Sequence, residues 1–138
     1  MKTHTLIFLF LFSLTAFAQS QIQGMFNQKR YEEIIAFAPN ANKYGGQDIF
    51  RIGQSFMKLE RDEDALKMFD QAIAKGYKNG EIYYAKGIAE TNMQQYSLAQ
   101  VSFRQALFYL PNRKKVLIEL AACYYKAQEL DSALSVYQ

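Results

Sequence analysis

Downstream of residue 46, apolar and small residues recur at helical spacing. Ile49, Ile52, Gly53 and Phe56 form one stripe. Ala65, Phe69, Ala72 and Ile73, at i, i+4, i+7 and i+8, form the next. The pattern then returns. A shift of 34 residues aligns Ala65 with Ala99 and Ala133, Phe69 with Phe103 and Tyr137, and Ala72 with Ala106. The same shift aligns Gly53 with Gly87 and Ala121, and Ile49 with Tyr83 and Leu117. Several independent coincidences at one offset make chance a poor explanation. The breaks between stripes predict two helices per unit. Lys58–Asp62 separates the first pair, with Asp62 placed to cap a helix that starts near Glu63. Gly76–Gly80 ends that helix, Asn92–Tyr96 marks the next internal turn, and Pro111 closes the second unit because proline cannot continue a helix. Glycine and alanine at the crossing points let two backbones approach closely, and the phenylalanine of the second helix fills the space beside them.

Upstream, Tyr31, Ile34, Ile35 and Ala38 make one apolar stripe, which predicts a helical cap over 23–38 ended by Pro39 and followed by a loop to Gly46. At the other end, Ser132–Gln138 stops inside a second helix. A stacked array wants its last face covered, so the natural chain is expected to continue past Gln138. Residues 1–18 read as a secretory signal. Lys2 supplies the positive start, an apolar stretch of about 12 residues runs from Leu6 to Phe17, and Ala16-Phe17-Ala18 is a small-x-small cleavage site. A spanning helix needs roughly 20 such residues, so no membrane span is expected after cleavage.

Composition narrows the chemistry. Of 138 residues, 16 are Lys or Arg and 13 Asp or Glu; without Lys2 the balance is 15 to 13, a surplus of two. So thin and dispersed a surplus argues against a nucleic-acid-binding domain. Cys123 is the sole cysteine, so no intrachain disulfide can form, and its helical setting suggests burial. The single histidine, His4, lies in the leader, which leaves the exported part without histidine-based triads, zinc–histidine sites or imidazole acid–base chemistry. Glu60, Asp62, Glu63 and Asp64 cluster at a turn and a first helical turn, where carboxylates complement the helix dipole, and they lack the glycine and closing glutamate of a calcium loop. Glu32-Glu33 reads as a solvated face, and Arg113-Lys114-Lys115 as a solvated turn. Gly45-Gly46 lacks the Lys-Ser/Thr of a phosphate loop. No cofactor, metal site or catalytic residue is expected. The chain reads as a non-enzyme.

These residues resemble the tetratricopeptide repeat family. Its small residue midway along the first helix is matched by Gly53, Gly87 and Ala121, and its alanine–aromatic–alanine signature by Ala65-Phe69-Ala72, Ala99-Phe103-Ala106 and Ala133-Tyr137. Pro111 matches the closing proline and Tyr124 the tyrosine before the internal turn. Tyr77 replaces a proline, and Lys86 and Glu90 replace a leucine and a tyrosine, which suggests looser packing of the middle unit's first helix. The resemblance implies an all-α, right-handed solenoid of antiparallel helix pairs, about 2.7 repeats plus an N-terminal half-unit. Its expected divisions are the signal 1–18, cap 19–45, and repeats 46–79, 80–113 and 114–138.

The resemblance also implies a concave groove lined by first helices. Its expected lining is Gln47, Phe50, Gln54, Met57 and Lys58, then Tyr84, Ile88, Thr91 and Asn92, then Ile118, Ala122, Tyr125 and Lys126. Aromatic, aliphatic, amide and lysine side chains suit an extended or helical peptide. Phe50 and Ala85 stand where a clamp for a C-terminal carboxylate wants polar residues, so that mode is not expected. Two functions follow as expectations. One is an exported, periplasmic or envelope-associated scaffold for a protein partner. The other is an N-terminal sensing or docking module of a longer envelope protein, such as a signalling enzyme, peptidase or outer-membrane assembly factor.

Overall fold

The computed structural model describes residues 21–136. The leader, its cleavage point and Tyr137 lie outside the described residues. All regular structure within them is helical. Helix α1 covers 21–27, α2 Tyr31–Ile35, and a 3₁₀ segment Ala38–Lys43. Then follow α3 (Gly46–Lys58), α4 (Asp62–Ala74), α5 (Gly80–Asn92), α6 (Tyr96–Tyr109), α7 (Lys114–Lys126) and α8 (Leu130–Ser135). The helices form antiparallel pairs, α3 with α4, α5 with α6 and α7 with α8. Each pair stacks on the next, and the first helices α3, α5 and α7 also touch in succession. This is an all-α solenoid, with every substantial helix contact made one or two places along the chain.

The crossing points explain the pairing. A Cβ on Gly53 would lie 2.5 Å from Cε1 of Phe69, and one on Gly87 would lie 2.7 Å from Cε1 of Phe103. Only a bare backbone lets each ring fit. Phe69 and Phe103 are wholly buried, flanked by the equally buried Ala65, Ala72, Ala99 and Ala106. Each buried ring contributes about 1.5–3 kcal/mol from transfer alone. Ala121 and Ala133 take the places of the glycine and the first alanine in the last pair.

The N-terminal half-unit departs from the expected single helix. The chain breaks at Lys29, which adopts a left-handed φ of 58°, and the Arg30 N–H donates to the Met25 carbonyl at 3.0 Å. Glu60, Gln94 and Gln128 repeat that turn with φ of 58°, 60° and 64°. Each is followed by the same six-residue bond: Arg61 to Phe56, Gln95 to Glu90 and Glu129 to Tyr124, at 2.9, 2.8 and 2.9 Å. These are Schellman closures of four successive first helices. The half-unit is therefore itself a short helix pair, set 31 residues before the next turn rather than 34. In that register Ile22 takes the place of Gly53 and Ala38 that of Phe69, so large and small residues have exchanged helices. The expected loop 40–46 holds most of the 3₁₀ segment, with Pro39 in its first turn, where its missing N–H is not needed.

Two further expectations change. Asp62 lies within the first turn of α4 and does not cap it; its carboxylate accepts from Asn92 Nδ2 at 3.2 and 3.3 Å, tying α4 to the end of α5. The middle unit's first helix is not loosely packed. Glu90, only 3% exposed, occupies the place of Phe56 and Tyr124, and its Oε2 accepts from Ser102 Oγ at 2.6 Å. Ser102 itself replaces Met68 of the preceding unit. Lys86 pairs with Asp70 across the two units.

Candidate partner-binding groove

The successive first helices leave an open cavity of about 460 Å³ between them. Its walls are Gln54, Met57 and Lys58 from α3, Glu81, Tyr84, Ala85, Ile88 and Asn92 from α5, and Lys115 from α7. The 34-residue register explains the convergence. Gln54 and Ile88 are equivalent, as are Lys58 and Asn92, and Glu81 and Lys115, so one face of each first helix contributes the same rows.

Six of the expected groove residues line this cavity: Gln54, Met57, Lys58, Tyr84, Ile88 and Asn92. Phe50 does not, and its assignment is corrected. It is buried against Phe69 and Tyr77, with ring centroids 5.6 and 5.5 Å away, because the aromatic that replaces proline at 77 needs an apolar neighbour. Gln47 is exposed outside the cavity, and the half-buried Thr91 turns its hydroxyl to the Gly87 carbonyl at 2.8 Å. Ile118, Tyr125 and Lys126 are exposed on α7, with Ala122 half-buried, all beyond the cavity walls. Glu81, Ala85 and Lys115 were missed. For Glu81 and Lys115 the signal was present, since both fall in register with Gln47.

The lining of the cavity combines apolar side chains, Met57, Ala85 and Ile88, with the charged Lys58, Glu81 and Lys115. Lys115 Nζ lies 4.6 Å from the centre of the Tyr84 ring, a cation–π contact that fixes the ring as a wall. Glu81 forms a solvent-exposed ion pair with Arg113 at 3.4 Å. Lys58 and Lys115 make no ion pair among the described residues. The cavity thus offers apolar side chains together with two ammonium groups and the Glu81 carboxylate.

The buried titratable groups lie elsewhere and serve packing. Burial pushes the Glu90 carboxyl above its usual range despite the Ser102 bond, and likewise pushes the Cys123 thiol up. Cys123 Sγ donates to the Tyr96 carbonyl at 3.3 Å. Burial also raises Asp48, against the opposing pull of Arg51, and its Oδ2 has no hydrogen-bond partner among the described residues. The acidic run is spent on neighbours: Asp64 with Arg61 and Lys67, Glu63 with Lys67. Among the described residues no three His, Cys, Asp or Glu side chains converge on a point that could hold a metal, and no helix is long and apolar enough to cross a membrane.

No family model matches the chain, and no curated protein sequence matches it. Two crystal structures of MamA are similar in fold. One is 19% identical with a TM-score of 0.67, the alignment covering 86% of this chain and 68% of that one. The other is 13% identical with a TM-score of 0.66, covering 99% and 90%. At such identities the likeness speaks to architecture, and it agrees with the helix-by-helix description: the chain is an all-α solenoid of stacked antiparallel pairs, folded like MamA.

Proposed function

We propose that this chain is an exported, non-catalytic scaffold of the cell envelope that holds a protein partner's peptide segment in the α3–α5–α7 groove. The observation that carries this reading is the groove's composition. Met57, Ala85 and Ile88 supply apolar lining, Tyr84 an aromatic wall, and Lys58 and Lys115 two cations with no carboxylate partner among the described residues. An extended segment that places an apolar side chain between two acidic residues satisfies all of these at once. The leader-like first 18 residues support export. The absence of histidine after His4 supports binding over chemistry.

The test is selection from a random peptide library on the immobilised protein. Enriched sequences should carry an apolar residue flanked by Asp or Glu. Tyr84→Ala should weaken their binding at least tenfold, as expected for a central aromatic anchor, while helicity by circular dichroism is retained. Enrichment of no sequence, or binding unchanged in Tyr84→Ala, would refute the groove.

A further inference from the structure

Helices α4 and α6 are the second helices of consecutive units, so their outward positions correspond at the same 34-residue shift. Along one outward line α4 carries Asp64, Lys67, Gln71 and Ala74. The same line on α6 carries Leu98, Val101, Gln105 and Phe108. Leu98, Val101 and Phe108 remain 55%, 54% and 78% exposed. On α8 the line returns to serine, at Ser132 and Ser135. The apolar strip is therefore confined to one helix, where the repeat template does not require it.

The spacing of the strip is informative. Steps of three, four and three residues reproduce the a and d positions of a coiled-coil seam. Val101, Arg104, Gln105 and Phe108, at i, i+3, i+4 and i+7, rim an open hollow of about 480 Å³, the four-residue hole that receives a knob from a facing helix. None of these residues lines the groove.

We propose that this seam receives a second copy of the chain, α6 against α6 and antiparallel about a twofold axis. The strip reads compatibly in both directions. Leu98 then faces the partner's Phe108, and Val101 faces the partner's Gln105, so each large side chain meets a large one and each end of the seam is apolar. Charge also selects this occupant. Helix α6 contains no acidic residue, and its one cation, Arg104, donates from Nη2 to the Tyr124 hydroxyl with its guanidinium 5.7 Å from that ring. Two copies therefore meet without burying a carboxylate, and Arg104, exposed at the rim of the hollow, is held by the Tyr124 of its own chain. A partner chosen by charge finds a single cation to read, already engaged with Tyr124, and a lipid surface finds no row of cations along α6 beside the apolar strip. Gln105 fixes the register, as a lone polar residue in a seam does. One pair of 14-residue helices buries less than the roughly 1,200 Å² of a stable complex, so the dimer is weak, with Kd on the order of 10–100 µM. It leaves both grooves open and doubles the valency of the scaffold.

The experiment is sedimentation equilibrium on the purified chain from low micromolar to near-millimolar concentration. The average mass should climb from monomer towards dimer. The triple variant Leu98→Asp, Val101→Lys, Phe108→Ala gives α6 the residues that α4 already carries at those places, so helicity and melting should be preserved while the mass stays monomeric. Mixing the Val101→Cys and Gln105→Cys proteins under mild oxidation should yield the mixed disulfide in preference to either like pair, with Cys123 buried and uninvolved. A wild-type chain that stays monomeric throughout overturns the proposal. So does a dimer that survives the triple variant, or Val101→Cys linking preferentially to itself.

Discussion

The pairs α3/α4 and α5/α6 are built on one template and differ in what they do with it. Both close around a glycine pressed on a phenylalanine, Gly53 on Phe69 and Gly87 on Phe103, with alanines on either side. Away from that crossing they diverge. The first pair fills the position before its turn with Phe56 and the facing position with Met68; the second has Glu90 bonded to Ser102. The first pair's outer face is charged, and the second's is apolar. A handful of contact positions is enough to specify the helix pair, and the rest of the surface is free to vary and to acquire partners.

Substitutions at the crossing are the severest way to probe that comparison. Phe69→Ala and Phe103→Ala should each lower stability by about 3–5 kcal/mol in urea denaturation, and Gly53→Ala and Gly87→Ala by about 1–3 kcal/mol, since the new methyl must displace a rigid ring. Matching costs in the two pairs would sharpen the idea of a shared template; a large disparity would break it.

The double variant Glu90→Phe, Ser102→Met carries the first pair's core into the second. It should gain about 1–3 kcal/mol near neutral pH by removing a buried carboxylate. The sign of the pH effect follows from burial. Glu90 holds its proton more tightly folded than unfolded, so the folded chain binds more protons in the interval between the two values. Stability should therefore fall as pH rises from the ordinary glutamate range through the raised folded value, and the double variant should flatten that fall. Asp48 titrates in the same sense, and Asp48→Asn should remove its own share of the slope. Denaturation midpoints across pH 4–8 measure both.

The smallest effect lies at the turns. Glu60→Gly and Gln94→Gly relieve a left-handed conformation that side chains resist, and each should add about 0.5–1 kcal/mol, nearly equal in the two pairs, read as a shift in melting temperature.

The crossing residues were legible in the sequence because they must recur; a backbone approach of this closeness admits few residue types. The N-terminal pair was not, for two physical reasons. Its spacing is 31 rather than 34, and Ile22 and Ala38 reverse the usual sizes, so a search for glycine facing phenylalanine passes over it. Lys29 also gave no turn signal, since the left-handed position there is held by its bonds and not by a glycine. Glu90 was visible as an oddity, but its meaning needed Ser102, which lies twelve residues on and is adjacent only in space. Six of the expected groove residues line one cavity because register predicts which side of a helix shares a face with its neighbours. Phe50 was misplaced because its neighbour Tyr77, an exception to the template, drew it into the core.

The restriction of helix contacts to near neighbours has a consequence for how such a molecule yields and how it can be steadied. Among the described residues no strand or helix returns to close the stack on itself, so its outer pairs fray first and the loss travels inward one pair at a time. Amide exchange should be slowest in α5, which packs against α3, α4, α6 and α7, and progressively faster towards α2 and α8. A peptide seated against Met57, Tyr84 and Lys115 would bridge three such layers at once, and would slow that exchange well beyond the residues it covers.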